Sequence, residues 1–293
     1  MSRVLLPLAD WDGIADRLGA TLGATMGQIT TRRFPDGESY VRIESDVKGR
    51  EVILLASLAD PDDKILQVLY TAALARDLGA SSVRLVAPYL PYMRQDTRFH
   101  SGEAVTSTYF ARLLSQWADD LVTVDPHLHR RSSLGEIYSI PTYAAHAAAL
   151  ISAWIKQNVE KPLLVGPDEE SAQWVAAVAM DAGAPHIVLE KTRRGDRDVD
   201  VSVPQVEKWR DATPVLVDDI ISTARTMIET VGHLREAGLA PPVCIGVHGL
   251  FADNAYRDLQ ESGVARIVTS NTVPHKTNAI DVSGLLAAGL DNI

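Results

Sequence analysis

Short apolar runs alternate with longer helical patterns along almost the whole chain, and that alternation restricts the fold more than any single motif. The strand-like runs are EVILLAS (51–57), VRLVAP (83–88), LVTVD (121–125), LLVGP (163–167), HIVLE (186–190), PVLVD (214–218), VCIGV (243–247) and RIVTS (266–270). Between them lie DDKILQVLYTAALARDLGA, VTSTYFARLLSQW, AAHAAALISAWIK, ESAQWVAAVAMDAG and ARTMIETVGHLREAG. In the first of these Asp62 is placed to cap a helix and Gly79 to stop it. Strands separated by helices build parallel sheets with helices on both faces, an α/β architecture. Strand–helix–strand units occur on both sides of Pro141 and the Ala-rich segment beyond it, although no close sequence repeat is present. The chain is therefore expected to form two similar α/β domains, 1–145 and 146–293, with a final helix near 281–293 returning to the first. The segment GATLGATMG, with small residues every fourth position, is expected to be a loop or a tight helix contact.

A length of 293 residues allows two domains with a core each. No apolar run approaches the length of a membrane span, and MSRVLLPLADWDG has too short an apolar core for a signal peptide. The one cysteine, Cys244, lies in VCIGV and is expected to pack within a strand in a reducing compartment, so a cytoplasmic location is expected. A net charge of −10 argues against nucleic acid as a partner. It also means that an anionic ligand must be met by local cations. Three clusters supply them: Arg94 to Arg98, Arg130 with Arg131, and Lys191 to Arg197.

Ligands of open α/β sheets bind beyond the carboxyl ends of the strands. Here those ends are polar: YLPYMRQDTRFHSGE, PHLHRR, DEES, KTRRGDRD and DIISTART each follow a strand. The richest is Thr213 to Met227, where a buried strand meets Asp218 and Asp219, then the hydroxyls Ser222, Thr223 and Thr226 at a helix start. Carboxylates accept hydrogen bonds from two adjacent ribose hydroxyls, and amides at a helix N-terminus with nearby hydroxyls hold a phosphate. A strand ending in an Asp-rich turn before an ordinary capped helix is the plainer reading.

Six pieces in collinear order resolve that choice. They are Phe34-Pro35-Asp36-Gly37-Glu38, Arg94-Gln95-Asp96, Asp125-x-His127, Pro167-Asp168, Lys191 with Arg193, and Asp218-Asp219-Ile-Ile-Ser-Thr. Together they resemble the ribose-phosphate pyrophosphokinases, from about Phe34 to Thr272. The resemblance implies two phosphoribosyltransferase-like domains with the site between them. It also implies transfer of the diphosphoryl group of ATP, with Mg2+, to the C1 hydroxyl of ribose 5-phosphate.

By the same resemblance, Phe34, Asp36, Glu38, Arg94, Gln95, Asp96 and His127 serve ATP. FPDGE reads locally as a β-turn, and in the family this hairpin reaches a neighbouring subunit, so a dimer-based homo-oligomer with a shared ATP site is implied. Asp218, Asp219, Ser222, Thr223, Ala224, Arg225 and Thr226 serve ribose 5-phosphate, the acidic pair on the sugar hydroxyls and the rest around the phosphate. His127 and Asp168 are the implied magnesium contacts; zinc is excluded for His127 and His129 because no third ligand follows at suitable spacing. Lys191 and Arg193 are expected to close over the triphosphate, although their segment also reads as an exposed hairpin turn.

The chain departs from the family in four places. Ser222 mildly replaces an Asp, Glu170-Ser171 (after Glu169) stands where the pyrophosphate-side loop Pro-Asp-x-Gly-Gly has its glycines, Thr192 stands where a second basic residue is usual, and Ala224-Arg225 stands where the sugar-phosphate loop usually has two glycines. A glycine there permits positive φ and close backbone approach to phosphate, so Ala or Arg is expected to strain the loop wherever that conformation is required. Arg225 offers a direct phosphate contact in exchange. Two other functions fit the residues less well. A non-catalytic paralogue sits poorly with retention of Lys191, Arg193, His127, Asp168 and the acidic pair; a plain phosphoribosyltransferase sits poorly with the ATP-side segments. Neither G-x-G-x-x-G nor G-x4-G-K-[ST] is present, which disfavours a dehydrogenase or a P-loop kinase.

Overall fold

The computed structural model describes the backbone of residues 2–9, 11–167, 171–193, 199–202 and 206–293, and side chains for the same residues except 173, 190–193, 199–202 and 206. The chain forms two compact units. The first comprises Met1–His146, Thr272–Pro274 and Asp281–Ile293; the second comprises Ala147–Asn271 and His275–Ile280.

In the first unit the order is β1 (Arg3–Pro7), α1 (Ile14–Leu22), β2 (Thr25–Met26), β3 (Ile29–Arg33), β4 (Ser39–Ile43), β5 (Glu51–Leu55), α2 (Ile65–Asp77), β6 (Ser82–Val86), α3 (Thr106–Leu114), β7 (Asp120–Val124) and β8 (Thr142–Ala145). Six strands make one sheet in the order β2-β1-β5-β6-β7-β8, parallel throughout. The apolar runs lie in strands covered on both faces, which is why they lack a polar alternation. Val4, Leu5, Leu6, Val52, Ile53 and Leu85 are all essentially inaccessible, and each such burial is worth about 1.5–3 kcal/mol. β3 and β4 stand apart as an antiparallel hairpin.

The second unit runs α4 (Ala148–Asn158), β9 (Pro162–Gly166), α5 (Ala172–Ala182), β10 (His186–Val188), β11 (Glu190–Arg193), β12 (Val199–Ser202), β13 (Thr213–Ile221), α6 (Arg225–Glu236), β14 (Val243–Gly249), α7 (Ala255–Glu261), β15 (Arg266–Ser270) and β16 (Asn278–Ile280). Its main sheet has the order β10-β9-β13-β14-β15-β16, again parallel. β11 and β12 pair antiparallel as a separate two-stranded ribbon. Cys244 is fully buried in β14, and burial pushes its thiol up to about 12, which leaves it inert. A last helix, α8 (Ser283–Asp291), belongs to the first unit. It lies so close to that unit's sheet that a Cβ on Gly289 would meet Val122 at 2.7 Å and Tyr143 at 2.9 Å.

Three local expectations need correction. Asp62 does not cap α2: it lies inside a 3-10 turn, Pro61–Asp63, and Lys64 takes the cap position. Its carboxylate instead accepts a hydrogen bond from the Tyr92 hydroxyl. GATLGATMG is not a loop alone, because its first residues end α1, Gly23 at φ 60° stops the helix, and Thr25–Met26 then join the sheet. The strand before the acidic pair is also longer than its apolar core. It continues through both carboxylates to Ile221, since Ile220 and Ile221 still pair with His248 and Gly249. Gly79 does end α2, at φ 86°. Among the described residues no helix is long and apolar enough to cross a membrane.

Candidate functional site

Within the first unit the candidate residues gather on the hairpin and on the loops after β6 and β7. The FPDGE turn closes the β3–β4 hairpin, with Arg33 opposite Ser39. The Phe34 amide donates to the Glu38 carbonyl at 2.8 Å and the Gly37 amide to the Phe34 carbonyl at 2.9 Å. Gly37 takes φ 93°, a value that an L side chain resists. Asp36 Oδ1 accepts from the Glu38 amide at 3.3 Å, as Asp does in such turns. Phe34 stands at the tip, 38% exposed. The Arg32 guanidinium lies 4.4 Å from the centre of its ring and 4.4 Å from that of Tyr40. Arg32 and Tyr40 are cross-strand partners, and Phe34 follows Arg32 by one strand repeat, so all three share one face.

Arg94, Gln95 and Asp96 lie on the long loop after β6, Arg94 exposed and the other two half-buried. The Asp96 side chain is only 4% exposed and binds Arg130 at 2.9 Å. Arg131 donates to the Asp96 carbonyl at 3.2 Å and to Thr108 Oγ1 at 3.2 Å. Asp96 thus ties the loop after β6 to the loop after β7. Gln95 takes part through Oε1, which accepts from Thr106 at 3.3 Å. In the loop after β7, the His127 and His129 rings meet edge to face with centres 4.1 Å apart. Asp125, at φ 34°, accepts or shares a proton with His146 Nδ1 at 2.9 Å. That hydrogen bond raises the His146 pKa above its ordinary value.

Within the second unit, Asp218 and Asp219 occupy the carboxyl end of β13, both half-buried. The Asp219 amide donates to Asp218 Oδ1 at 2.9 Å. Asp218 borders a narrow cleft with Pro167, Leu216, Val217, Met227 and Thr230. Ser222 and Thr223 follow, and α6 begins at Arg225. Its cap residue is Ala224, at φ 58°, and no side chain caps the helix. An ordinary Ser/Thr N-cap is therefore not what those hydroxyls provide. A helix start of this kind offers backbone N–H groups and a positive dipole end to an anion.

Lys191 and Arg193 lie on β11 of the two-stranded ribbon, opposite Val201 and Val199. Of the basic segment, Lys191, Thr192 and Arg193 lie on this ribbon; their side chains, and residues 194–198 altogether, lie outside the described residues. Asp168 lies outside them altogether, as do Glu169 and Glu170.

Sequence reasoning passed over Arg32, Arg130 as a partner of Asp96, and the loop after β14. Arg32 carries a readable signal, its two-residue spacing from Phe34 beside a turn. Arg130 carries none, because its partner lies across two loops.

Comparison with known proteins identifies the two units. Residues 4–117 match the model of the N-terminal domain of ribose phosphate pyrophosphokinase, and residues 133–284 match the phosphoribosyl transferase domain. The chain is 33% identical over 287 residues to the ribose-phosphate pyrophosphokinase of Sulfurisphaera tokodaii, covering 94% of this chain and 96% of that one. It is 31% identical to the enzyme of that name from Methanopyrus kandleri, covering 99% of each. The fold superposes on phosphoribosylpyrophosphate synthetase from Mycobacterium smegmatis with a TM-score of 0.85 at 25% identity, over 99% of this chain and 98% of that one. With two parallel-sheet units, polar loops at the strand ends and relatives matched along their full length, the chain belongs to the ribose-phosphate pyrophosphokinase family.

Proposed function

We propose that this enzyme transfers the diphosphoryl group of ATP to the C1 hydroxyl of ribose 5-phosphate, giving phosphoribosyl diphosphate and AMP. The observation that carries the reading is the course of β13. It delivers Asp218 and Asp219 at its end and passes through Ser222 and Thr223 into the uncapped start of α6. The carboxylates accept from the ribose 2- and 3-hydroxyls, while the loop amides and the hydroxyls of Ser222, Thr223 and Thr226 take the 5-phosphate. Arg225, first residue of α6 and exposed, adds a cation where the family usually has glycine.

In the reaction the C1 hydroxyl oxygen forms a bond to the β-phosphorus, the bond from that phosphorus to the α–β bridging oxygen breaks so that AMP leaves with that oxygen, and the proton of the C1 hydroxyl is released to solvent. Little acid–base chemistry is needed; alignment and neutralisation of charge do most of the work. Lys191 and Arg193 supply cations to the transferring group. Phe34 offers a face to the adenine, with Asp36 and Glu38 beside it, and Arg94, Gln95 and Asp96 complete the nucleotide side. An exposed aromatic tip of this kind suits a site finished by a second copy of the chain, in a dimer-based homo-oligomer.

Magnesium bound with the nucleotide supplies charge neutralisation at the phosphates. His127 and Asp168 are the residues to hold it, together with phosphate oxygens and water. Among the described residues no three His, Cys, Asp or Glu gather into a cage, and magnesium, which keeps several waters, requires none.

The test is purified protein with ribose 5-phosphate, ATP and magnesium, following AMP and phosphoribosyl diphosphate. Absence of ribose 5-phosphate-dependent AMP overturns the reading. In the same assay Lys191→Ala is expected to cut turnover by about 10²–10³-fold while leaving ribose 5-phosphate binding nearly intact. Asp219→Asn is expected to raise the ribose 5-phosphate requirement roughly tenfold, a loss of about 1.4 kcal/mol.

A further inference from the structure

The loop after β14, residues 250–253, is bound to the end of β13 by main-chain hydrogen bonds, and Phe251 also packs against the core cluster that contains Ile221. The amides of Leu250 and Phe251 both donate to the Ile221 carbonyl, at 2.9 and 3.0 Å, and the Ala252 amide donates to the Ser222 carbonyl at 3.0 Å. Three donors therefore fix the last residue of β13 and the first residue of the sugar-phosphate loop. Delivering them puts two non-glycine residues at positive φ, Phe251 at 47° and Asp253 at 54°. Such conformations persist only where the surroundings impose them.

The surroundings here are aromatic. The Phe251 ring lies 4.4 Å from the His275 ring at a 35° tilt and meets Tyr256 edge-on at 5.6 Å. His275 and Tyr256 in turn contact each other at 5.1 Å. His275 is oriented from behind: its Nδ1 lies 2.8 Å from Thr277 Oγ1, and its amide donates to Asn278 Oδ1 at 3.0 Å. Thr277 is held by the buried Thr269 at 2.8 Å. A continuous set of packed and hydrogen-bonded groups thus runs from the end of β15 to Ser222. Of the two residues at positive φ, Phe251 is the one whose ring it grips.

We propose that Phe251 is a positioning residue for ribose 5-phosphate: its ring, wedged between His275 and Tyr256, locks the 250–253 backbone that holds Ile221 and Ser222 in place. The inference rests on the assignment of Ser222–Thr226 to the sugar phosphate. Without the ring, the loop relaxes out of positive φ and its three amides no longer converge. The ribose 5-phosphate half of the site then loosens, while the nucleotide residues of the first unit are untouched.

Phe251→Ala is the direct test, with Phe251→Tyr, which restores the ring, as its control. In ligand-free protein, amide hydrogen exchange across 220–226 is expected to accelerate by at least about tenfold in Phe251→Ala and to return to near wild type in Phe251→Tyr. In steady-state assays the ribose 5-phosphate half-saturation is expected to rise about 10–100-fold, with that for ATP within about twofold of wild type. Unchanged exchange across 220–226, or equal losses for both substrates, overturns the proposal. Should Phe251→Ala fail to fold, Phe251→Leu, which keeps apolar bulk without a ring, takes its place under the same readings. The two readings fail separately. A wild-type protein that does not bind ribose 5-phosphate in calorimetry refutes the sugar-phosphate assignment, whereas the exchange measurement decides the clamp.

Discussion

At Ala224 one backbone angle carries the main difference between this chain and the usual family loop. The sequence narrowed the question to Ala224 or Arg225, since both replace glycine, but could not choose between them. The structure puts Ala224 at φ 58° and starts α6 with Arg225 in helical geometry. An alanine held in the left-handed region costs about 1–2 kcal/mol relative to a relaxed one. Ala224→Gly is therefore expected to raise the denaturation midpoint of the second unit, by at most about 1 kcal/mol, because glycine gives back some of the gain as unfolded-chain entropy. Ala224→Val, β-branched and only 7% exposed at this site, is expected to lower the midpoint and weaken ribose 5-phosphate binding together. A Gly variant less stable than wild type would mean that the angle is not strained. The acidic pair and the hydroxyls of 218–226 were legible from the chain; which residue takes positive φ was not, because φ is set by where β13 and α6 are anchored.

Most strands buried on both faces were legible, although β1, whose Val4, Leu5 and Leu6 are fully buried, was not read as one. All eight apolar runs are strands, because parallel pairing leaves no solvent side to interrupt them. Short or exposed strands were missed: β3 and β4 carry Thr, Arg, Tyr and Ser, and only their turn announced itself. A buried charge inside a strand run also went unread. Arg84, in the middle of β6 and 6% exposed, binds Asp120 on β7 at 2.6 Å and lies 3.6 Å from Glu51 on β5. Burial raises the Asp120 pKa, against the opposing pull of Arg84. Removing only the guanidinium leaves that carboxylate buried without its partner. Arg84→Met is expected to cost about 3–5 kcal/mol, and adding Asp120→Leu to recover much of it. Denaturation midpoints of the two single variants and the double variant check this; a double variant weaker than Arg84→Met alone would show that the pair is not the source of the loss.

For the whole molecule, two histidines illustrate how position decides chemistry. His146, bonded to Asp125, has a raised pKa, and His275, desolvated and beside Lys276, has a lowered one. The linkage signs are opposite. His146 contributes stability that is complete below the ordinary value of 6.5 and is lost as pH rises through its folded-state pKa. His275 contributes stability present above 6.5 that is lost as pH falls toward its folded-state pKa. NMR titration of the two ring signals is expected to place them on either side of 6.5. Asp125→Asn should bring His146 down, and Lys276→Ala should raise His275 only in part, because burial is the larger cause. Two superimposed titrations would refute the assignment.

The sequence by itself determined the parallel α/β character of the chain, the polar strand ends and the family. Those properties depend on local periodicity and on residue types in a fixed order, which survive without coordinates. Tertiary structure alone decided that Asp62 serves Tyr92 rather than a helix end, that Asp96 joins two loops through Arg130, that Ala224 takes the left-handed conformation, and that the Phe251 and Ala252 amides reach Ile221 and Ser222. Each of these depends on groups far apart in the chain but in contact in the fold, and the side-chain pattern along a single element carries no record of such a partner.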